Sequence, residues 1–374
     1  MRLRSSVALA VTTAILVAAC QSGGGAGLKI GVQTDVGSVN DKNFNEYTYV
    51  GAKDGAKAVG APNADDLPVV VPNSDADFAP NIQSFVDQGF NVIVTAGFNL
   101  TNVTAAGAKA NPNIWFIGVD HNPCIKGDGT VDPTFADCSG SVATLLPKYI
   151  ALNYAEDQAG YLAGMVAASA SQSNIIGAIG GVALCGPCIR YIQGYVLGAK
   201  SVKPDITVKV AWVSDSDFTK GFFDQAGGKT FANQFIQQNT GVDVLFQVAG
   251  STGNGVIDAA CEAGISAIGV DVDQHESYPA SQACILTSAE KKLARSVAES
   301  IKAIAAGTAK GGLSFFNAGN DGIGVSPFYA AASKLPSDMQ SKIDTALAAM
   351  KAGTLVTCPP APECGKSPAG PIGD

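Results

Sequence analysis

Short apolar runs of strand length alternate along the chain with longer stretches of helical periodicity. In the first half the runs are LKIGVQT, LPVVVP, NVIVTA and IWFIGVD, and in the second half NIIGAIGG, TVKVAWV, VDVLFQVAG and ISAIGVDVD. Helical patterns lie between them, for example near 44–59, 78–88 and 99–110. This alternation predicts right-handed βαβ units around parallel sheets that are covered on both faces.

The length of the chain predicts two such units rather than one. Its 374 residues exceed the usual size of a single domain. A hydrophobic fraction of 47% with only 15% charged residues is typical of a well-packed α/β protein and argues against disorder. We therefore predict two doubly wound lobes, with the chain leaving the first near the segment PKYIALNYAEDQAGYLAG.

The first residues have the pattern of an export signal. Arg2 and Arg4 precede an apolar run at 7–17 that is too short to span a bilayer, and two alanines precede Cys20. The ending LVAAC resembles a bacterial lipobox, in which the cysteine is lipidated. We predict a signal peptide at 1–19, a flexible lipid-anchored tether at 20–27 and an extracytoplasmic protein held at the cell membrane. An ordinary export signal that contains a cysteine is the alternative.

Eight further cysteines fall into four pairs that are local in sequence. Disulfides persist in the compartments that exported proteins reach, although sequence alone does not prove connectivity. Zinc is the alternative, but His121 and His275, the two histidines, lack ligand spacing to a cysteine pair, so we predict no metal. The predicted disulfides are Cys124–Cys138, Cys185–Cys188, Cys261–Cys284 and Cys358–Cys364.

The charge balance argues against a nucleic-acid partner. The formal net charge is -8, and loss of the two arginines of the signal would make it about -10. The sequence contains no basic stripe of the kind that binds phosphate backbones.

Two motifs point to chemistry that the rest of the sequence does not support. CGPC at 185–188 matches the thioredoxin redox motif, but it lies far from the start of a small domain, so we predict a structural bridge. An exported thiol-disulfide oxidoreductase that uses Cys185 and Cys188 is the main enzymatic alternative. GSTGNG at 250–255 has neither dinucleotide spacing nor a Walker lysine, so we predict no cofactor.

Aspartates recur at the ends of the predicted strands. Asp35, Asp120, Asp271 and Asp273 each follow an apolar run, so in a doubly wound fold they would converge on one cleft. Carboxylates accept hydrogen bonds from vicinal hydroxyls, which makes a polyol such as ribose a reasonable guest. Helix caps or turn formers are the structural alternative. Since no recognised catalytic set is present, we predict a binding protein rather than an enzyme.

Six motifs, in order, carry a family resemblance: DVGSVNDKNFN, AEDQAGYLAG, IGGVALCGPCIRYIQGYVLGAK, VLFQVAGSTGNGVIDAACEAG, AIGVDVDQ and ILTSAEKKL. From Leu28 to about Phe328 the chain resembles the basic membrane protein family, also called PnrA-like lipoproteins. These are type I substrate-binding proteins of ABC transporters that are associated with purine nucleosides. The resemblance implies a protein that hands a nucleoside to an ABC permease, and we expect it to be a monomer.

The resemblance also implies a division of the chain into lobes of the type I periplasmic-binding-protein fold. Two doubly wound parallel-sheet lobes would be joined by a three-strand hinge near Pro147, Ser288 and Gly322. The first lobe would comprise 28–148 and 288–320, the second 149–287 and 321–358, and a tail 359–374. The helix LARSVAESIKAIAAG would belong to the first lobe.

Candidate ligand contacts follow from the matched motifs. Phe44 would stack on one face of a purine base and Phe222, with Phe218 as the fallback, on the other. Without the resemblance, Phe44 reads as a core contact and Lys291 as part of a solvated helix turn. The polar contacts would be Asp35, Asp41, Asn45, Asp120, Gly250, Thr252, Asp271 and Lys291.

Three alternatives stay open at this stage. The first is a ligand that is another aromatic heterocycle, and the second is a ligand that is a sugar. The third is a sensory receptor that passes its closed form to a signalling partner. The CGPC segment departs from the general family pattern near the cleft, which leaves the specificity there open.

Overall fold

The computed structural model describes residues 27–361 and 363–366. Twelve strands form two six-stranded sheets in this part of the chain. The predicted signal peptide, its tether and Cys20 lie outside the described residues, apart from Gly27. The strands are β1 (Ile30–Thr34), β2 (Val69–Val70), β3 (Val92–Ala96), β4 (Trp115–Val119), β5 (Tyr149–Tyr154), β6 (Ile175–Val182), β7 (Thr207–Ser214), β8 (Val244–Val248), β9 (Ser266–Asp271), β10 (Ile285–Lys291), β11 (Gly312–Phe316) and β12 (Ile323–Val325).

Helices cover the faces of both sheets. They are α1 (Phe44–Ala58), α2 (Phe78–Asp87), α3 (Thr101–Ala110), α4 (Val142–Leu145), α5 (Glu156–Ala170), α6 (Gly186–Val202), α7 (Phe218–Phe222), α8 (Gln225–Gln238), α9 (Gly250–Glu262), α10 (Gln274–Ser277), α11 (Leu293–Ala305) and α12 (Met339–Lys351). Among the described residues, no helix is both long and apolar enough to cross a membrane.

Both sheets have the topology of doubly wound α/β folds. The order is β11-β5-β4-β3-β1-β2 in the first and β12-β10-β9-β8-β6-β7 in the second. All neighbours are parallel except β10 and β12, which are antiparallel. Strands such as β3 and β8 are buried along their whole length, as expected where helices cover both faces. The predicted fold class is confirmed.

The strands that lead between the lobes lie in different sheets from those predicted. β5 pairs with β4 and β11 in the first sheet, so the first lobe continues beyond 148. β10 pairs with β9 in the second sheet, so the return to the first lobe comes after Lys291 rather than at 288. Sequence periodicity identifies these strands but not their neighbours, which only long-range pairing decides. The third crossing lies between β11 and β12, which brackets Gly322.

Close helix packing fixes the elements behind the interlobe cleft. An added Cβ at Gly51 of α1 would lie 2.5 Å from the Ala294 carbonyl oxygen of α11, so α11 packs against the first helix of the first lobe. In the second lobe, an added Cβ at Gly160 of α5 would lie 2.0 Å from the Tyr191 oxygen of α6. The starts of α5 and α6 are therefore held together directly behind the cleft.

Disulfides join the four predicted pairs: Cys124–Cys138, Cys185–Cys188, Cys261–Cys284 and Cys358–Cys364. The last of them closes a loop of the tail that packs on α6. Gln193 Nε2 donates to the Glu363 carbonyl at 3.0 Å, and Gly365 N donates back to Gln193 Oε1 at 2.8 Å. Within 27–361 and 363–366, no group of three or more His, Cys, Asp or Glu side chains has the arrangement of a metal site.

Candidate ligand-binding site

A pocket opens between the two lobes, at the carboxyl ends of their strands. Its empty volume, the open mouth included, is about 600 Å³. All the predicted contacts except Phe218 and Thr252 line it: Asp35, Asp41, Phe44, Asn45, Asp120, Phe222, Gly250, Asp271 and Lys291. The remaining lining residues are Val36, Gly97, Phe98, Cys185, Pro187, Cys188, Tyr191 and Val248.

Lys291 is the centre of a buried ionic cluster at the back of the pocket. Its Nζ lies 2.6 Å from Asp120 Oδ2 and 3.2 Å from Asp271 Oδ1, so one ammonium joins the strand-end aspartates of the two lobes. Glu156, buried at the start of α5, adds a carboxylate at 3.7 Å. Arg190 Nε donates to the other oxygen of Glu156 at 2.8 Å. The cluster accordingly holds three carboxylates against two cations.

Burial and charge act in opposite directions on the pKa values of this cluster. Burial raises the pKa of Asp120 to about 7, although Lys291 opposes the rise. Burial also raises the pKa of Asp271, again against Lys291. For Lys291 burial opposes the charged form, but Asp120, Asp271 and Glu156 outweigh it and raise the pKa above the ordinary value. The lysine therefore stays charged across the physiological range.

The same four residues, IGVD, end the equivalent strands of the two lobes at 117–120 and 268–271. Asp120 and Asp271 both have the left-handed backbone that aspartate tolerates better than most residues, with φ of 63° and 66°. This conformation lies at the carboxyl end of a strand in each lobe, since Asp120 directly follows β4 and Asp271 is the last residue of β9. With this backbone conformation both carboxylates reach Lys291, and the repeated IGVD segment is the sequence signal for that contact.

The loop between β1 and α1 forms the wall of the first lobe. Asp41 accepts backbone hydrogen bonds from Asn43 at 2.9 Å and Glu46 at 3.0 Å on one oxygen, and from Asn45 at 2.9 Å on the other. Burial raises the pKa of Asp41 to about 6, against these three donors. Asp41, two residues before the N-cap residue Asn43, thus accepts from N–H groups at the start of α1 and holds the segment that carries Phe44 and Asn45.

Asp35 lies against a glycine that has room for no side chain. An added Cβ at Gly97, whose φ is 111°, would lie 2.0 Å from Asp35 Oδ2. Val36 N donates to Asp35 Oδ1 at 2.7 Å, and burial raises the pKa of Asp35 to about 7. Asp35 therefore carries a proton far more readily than an exposed aspartate.

Two buried acceptors in the pocket wall have no hydrogen-bond partner among the described residues. They are Asp120 Oδ1 and Asn45 Oδ1. Asn45 Nδ2 donates to the Val36 carbonyl at 2.8 Å, which leaves its oxygen free. Buried polar atoms are rarely left without partners, so these two oxygens are suited to donors that a ligand brings.

Aromatic side chains line the pocket from both lobes. Phe44 lies on the first turn of α1, and Lys291 Nζ is 5.0 Å from its ring centroid. Phe222 ends α7 in the second lobe, where an added Cβ at Gly181 would lie 2.5 Å from its ring. The glycine therefore makes the space into which Phe222 fits.

Phe218 and Thr252 do not line the pocket and instead support the residues that do. Phe218 stacks on Phe222 with ring centroids 6.2 Å apart and contacts Phe98 of the first lobe at 5.7 Å. The buried Thr252 hydroxyl accepts from Asp224 N at 2.8 Å and donates to the Lys220 carbonyl at 3.0 Å. Thr252 therefore lies outside the pocket lining, with its hydroxyl bonded to the loop that carries Phe222.

Residues that sequence reasoning missed complete the site. Tyr191 OH lies 3.3 Å from Asp271 Oδ1, and Phe98 lines the first lobe beside Gly97. Glu156 is fully buried, although an acidic residue in the first turn of a helix is usually a solvated partner of the helix dipole. The sequence signal for a role of Glu156 in the site is its position inside the motif AEDQAGYLAG.

The CGPC turn forms part of the pocket wall in the second lobe. Cys185 and Cys188 are bonded to each other and are only 2% and 6% exposed. Cys188 N donates to Cys185 Sγ at 3.1 Å, so the turn also caps the start of α6. A buried disulfide lacks the accessible thiolate that exchange chemistry requires.

Comparisons with known proteins agree with this arrangement. A family model described as "ABC transporter substrate-binding protein PnrA-like" matches residues 29–351. The chain belongs to this family. Its members are solute-binding proteins of ABC transporters, which act outside the cytoplasm and are not enzymes.

Individual relatives and structures fit the family. The chain is 33% identical over 284 residues to an "ABC transporter nucleoside-binding protein BmpA" of Lactococcus lactis, covering 71% of this chain and 72% of that protein. It is 26% identical over 336 residues to an uncharacterized lipoprotein of Pyrococcus horikoshii, covering 84% and 75%. The fold is similar to that of an ABC transporter solute-binding protein of Aeropyrum pernix, with a TM-score of 0.71, 21% identity and coverage of 89% and 94%.

Proposed function

We propose that this PnrA-like protein captures a purine nucleoside between its lobes and delivers it to an ABC permease. The observation that carries the proposal is the combination in one pocket of Phe44 and Phe222, from opposite lobes, with the cluster of Asp120, Asp271 and Lys291. The nucleoside-binding name of the Lactococcus relative supports the same ligand class.

In this proposal the two aromatic rings hold the base and the ionic cluster holds the sugar. Stacking on an aromatic side chain contributes about 1 to 3 kcal/mol per base and tolerates any flat heterocycle. Asp120 and Asp271 accept from ribose hydroxyls, while Lys291 donates to them. Asp35 and Asn45 contact the polar edge of the base, and Asn45 Oδ1 is one of the acceptors that lack a partner among the described residues.

Thermal-shift titration with inosine, guanosine, adenosine, the free bases and simple sugars tests the proposal. A ligand at 100 times its Kd stabilises the folded state by about 2.7 kcal/mol, so binding is visible as a raised melting temperature. We expect the nucleosides to raise it more than the bases or sugars. If only sugars or another heterocycle raise it, the nucleoside assignment is wrong.

The Phe44→Ala variant serves as the site control, and Phe315→Ala is its matched comparison. Phe315 lies on the edge strand β11 and is 54% exposed, so its truncation removes an aromatic ring that is not part of the pocket lining. We expect the nucleoside-dependent shift to be smaller in the first variant and unchanged in the second.

Anchoring to the membrane through acylated Cys20, and a monomeric state, complete the proposal. The lipobox-like ending before Cys20 and the lipoprotein name of the Pyrococcus relative support the anchor. Cell fractionation of a Cys20→Ser variant tests it, because the protein should leave the membrane fraction. Light scattering of the mature protein tests the monomer.

A further inference from the structure

The lobes meet at the pocket through a buried hydrogen bond. Asn254, on α9 of the second lobe, is 2% exposed, and its Nδ2 donates to the Asp41 carbonyl at 3.0 Å. Asp41 belongs to the first lobe, and its own carboxylate accepts from N–H groups at the start of the helix that carries Phe44. One side chain of the second lobe therefore touches the residue that organises the ligand wall of the first.

The orientation of the Asn254 amide follows from its neighbours. Gln274 Oε1 accepts from Val270 N at 3.0 Å, and a backbone N–H only donates, so the Gln274 atom must be oxygen. Gln274 Nε2 then faces Asn254 Oδ1, at 2.9 Å. This leaves Asn254 Nδ2 directed at the Asp41 carbonyl. Asn254 thus presents a donor, rather than an acceptor, to the opposite lobe.

A third amide fixes the other end of the chain in the same way. Gln247 Oε1 accepts from Ala249 N at 3.0 Å, and Gln247 Nε2 donates to Gln274 Oε1. We call Gln247, Gln274 and Asn254 the amide relay. All three side chains are buried, so their hydrogen bonds are sheltered from competing water.

The amide relay ends on elements that line the pocket. Val270 precedes Asp271, and Ala249 precedes Gly250, both of them lining residues. Gln274 N donates to Ser288 Oγ at 3.0 Å, on the strand β10 that carries Lys291. A displacement of the wall of the second lobe therefore moves Asn254 relative to Asp41.

We propose that Asn254 is a positioning residue for ligand capture. It ties the wall of the second lobe to the loop that carries Phe44 and Asn45, and so holds the lobes closed over a bound molecule. The inference rests on the proposed function, because the contact is proposed to retain a captured ligand. It does not depend on the identity of that ligand.

A neighbouring contact provides a graded comparison. Ser277 Oγ donates to the Lys42 carbonyl at 2.8 Å, also between the lobes, but this bond is exposed and lies outside the amide relay. Hydrogen bonds that compete with water contribute little, whereas a buried polar group that loses its partner is costly. Ser277→Ala should therefore weaken ligand retention less than a change at Asn254.

The test uses the full mature protein with Asn254→Asp, Ser277→Ala and Asn233→Asp. The carboxylate at 254 keeps the size of the side chain but cannot donate to the Asp41 carbonyl. Asn233 on α8 takes no part in the amide relay, so it controls for the chemistry of the substitution. Inosine and adenosine are the probes, measured by surface plasmon resonance.

We expect Asn254→Asp to dissociate the probe at least about tenfold faster, with a smaller change in the association rate, because the contact forms only after the lobes close. Ser277→Ala should dissociate a few-fold faster and Asn233→Asp like the wild type. X-ray scattering of probe-saturated protein should give a larger radius of gyration for Asn254→Asp. A wild-type dissociation rate in Asn254→Asp would overturn the proposal, whatever the rate in Ser277→Ala.

Failure of the proposed function gives a different result. If the wild type binds neither probe, the nucleoside assignment fails, and the contact is then tested without ligand by hydrogen exchange. The backbone N–H groups of Asn43, Asn45 and Glu46 should exchange faster in Asn254→Asp than in the wild type, because the loop they belong to loses its tie to the second lobe. Equal exchange in both proteins would reject the role of Asn254. If Asn254→Asp is too poorly folded to compare, Ser277→Ala is measured instead, and wild-type exchange in that variant would reject the proposed tie between the lobes.

Discussion

The two lobes supply their aspartates to the pocket in the same way and their aromatic rings in different ways. Asp120 and Asp271 end identical IGVD segments, share a left-handed backbone and meet at Lys291. Phe44, by contrast, starts a long helix whose first turn donates to Asp41, whereas Phe222 ends a short helix. The doubly wound fold thus repeats what the end of a strand provides, while each lobe builds its aromatic wall from its own loop.

The walls also differ in what holds them together. In the first lobe the loop of Phe44 depends on the hydrogen bonds of Asp41. In the second lobe a disulfide, Cys185–Cys188, forms part of the wall itself. A covalent bond persists when the pocket opens to water, whereas the backbone hydrogen bonds to Asp41 must then compete with hydrogen bonds to water.

The strongest test of the shared part of the site is Lys291→Met. The variant keeps the bulk of the side chain but leaves Asp120, Asp271 and Glu156 without the cation that joins them. Breaking a buried ion pair costs about 3 to 5 kcal/mol, and we expect a loss of that size in the free energy of unfolding by urea, with loss of ligand binding. Lys292→Met, which removes a more exposed ion pair with Glu290, is the matched control. It should change the free energy of unfolding and ligand binding little.

The aromatic walls are compared by truncating each ring in turn. Phe44→Ala and Phe222→Ala should each weaken nucleoside binding by about 1 to 3 kcal/mol, measured by isothermal titration calorimetry. Phe218→Ala should weaken it less, since that ring supports Phe222 without lining the pocket. A larger effect at Phe218 than at Phe222 would reverse the assignment of the second wall.

The covalent part of the second wall is tested by replacing both Cys185 and Cys188 with serine. The bond closes a loop with a sequence separation of 3, so loop entropy predicts a loss of about 2 kcal/mol in the free energy of unfolding. Removal of Cys261–Cys284, with a separation of 23, should cost more. Nucleoside binding should persist in the serine variant. Disulfide exchange activity that the variant loses would instead support the oxidoreductase alternative.

The remaining difference between the walls is a pH dependence from Asp35 in the first wall. Burial raises its pKa from 3.8 to about 7, so the folded protein binds a proton there that the unfolded chain releases. Between these two values the folded state holds more protons, and stability therefore falls as the pH rises. Urea unfolding without ligand, at about pH 5 and about pH 7.5, should show a smaller fall in Asp35→Asn than in the wild type. An identical fall in both proteins would mean that Asp35 does not contribute.

Much of this fold and several site residues can be predicted from the sequence. Apolar runs such as NVIVTA predict buried parallel strands because both faces of such a strand are covered. Asp120 and Asp271 are predictable pocket residues because the carboxyl ends of parallel strands meet at one edge. Phe44, in contrast, required the family resemblance, since its position alone equally fits a core contact.

Other features depend on partners far apart in the chain. Which sheet receives β5 or β10 is decided by pairing with strands that local sequence does not identify. Thr252 and Gly250 are neighbours in one motif, but packing directs the threonine hydroxyl to Lys220 and Asp224 and leaves the glycine on the pocket.

The sequence alone predicts the alternation of strands and helices, the residues at the strand ends and the local cysteine pairs. These depend on periodicity and short spacing, which neighbouring residues specify. The folded structure, in contrast, is needed to show that Lys291 meets Asp120, 171 residues earlier, and that Asn254 meets Asp41, 213 residues away. Such contacts arise because two folded lobes bring their loops together, and no local pattern records which side chains will then face each other.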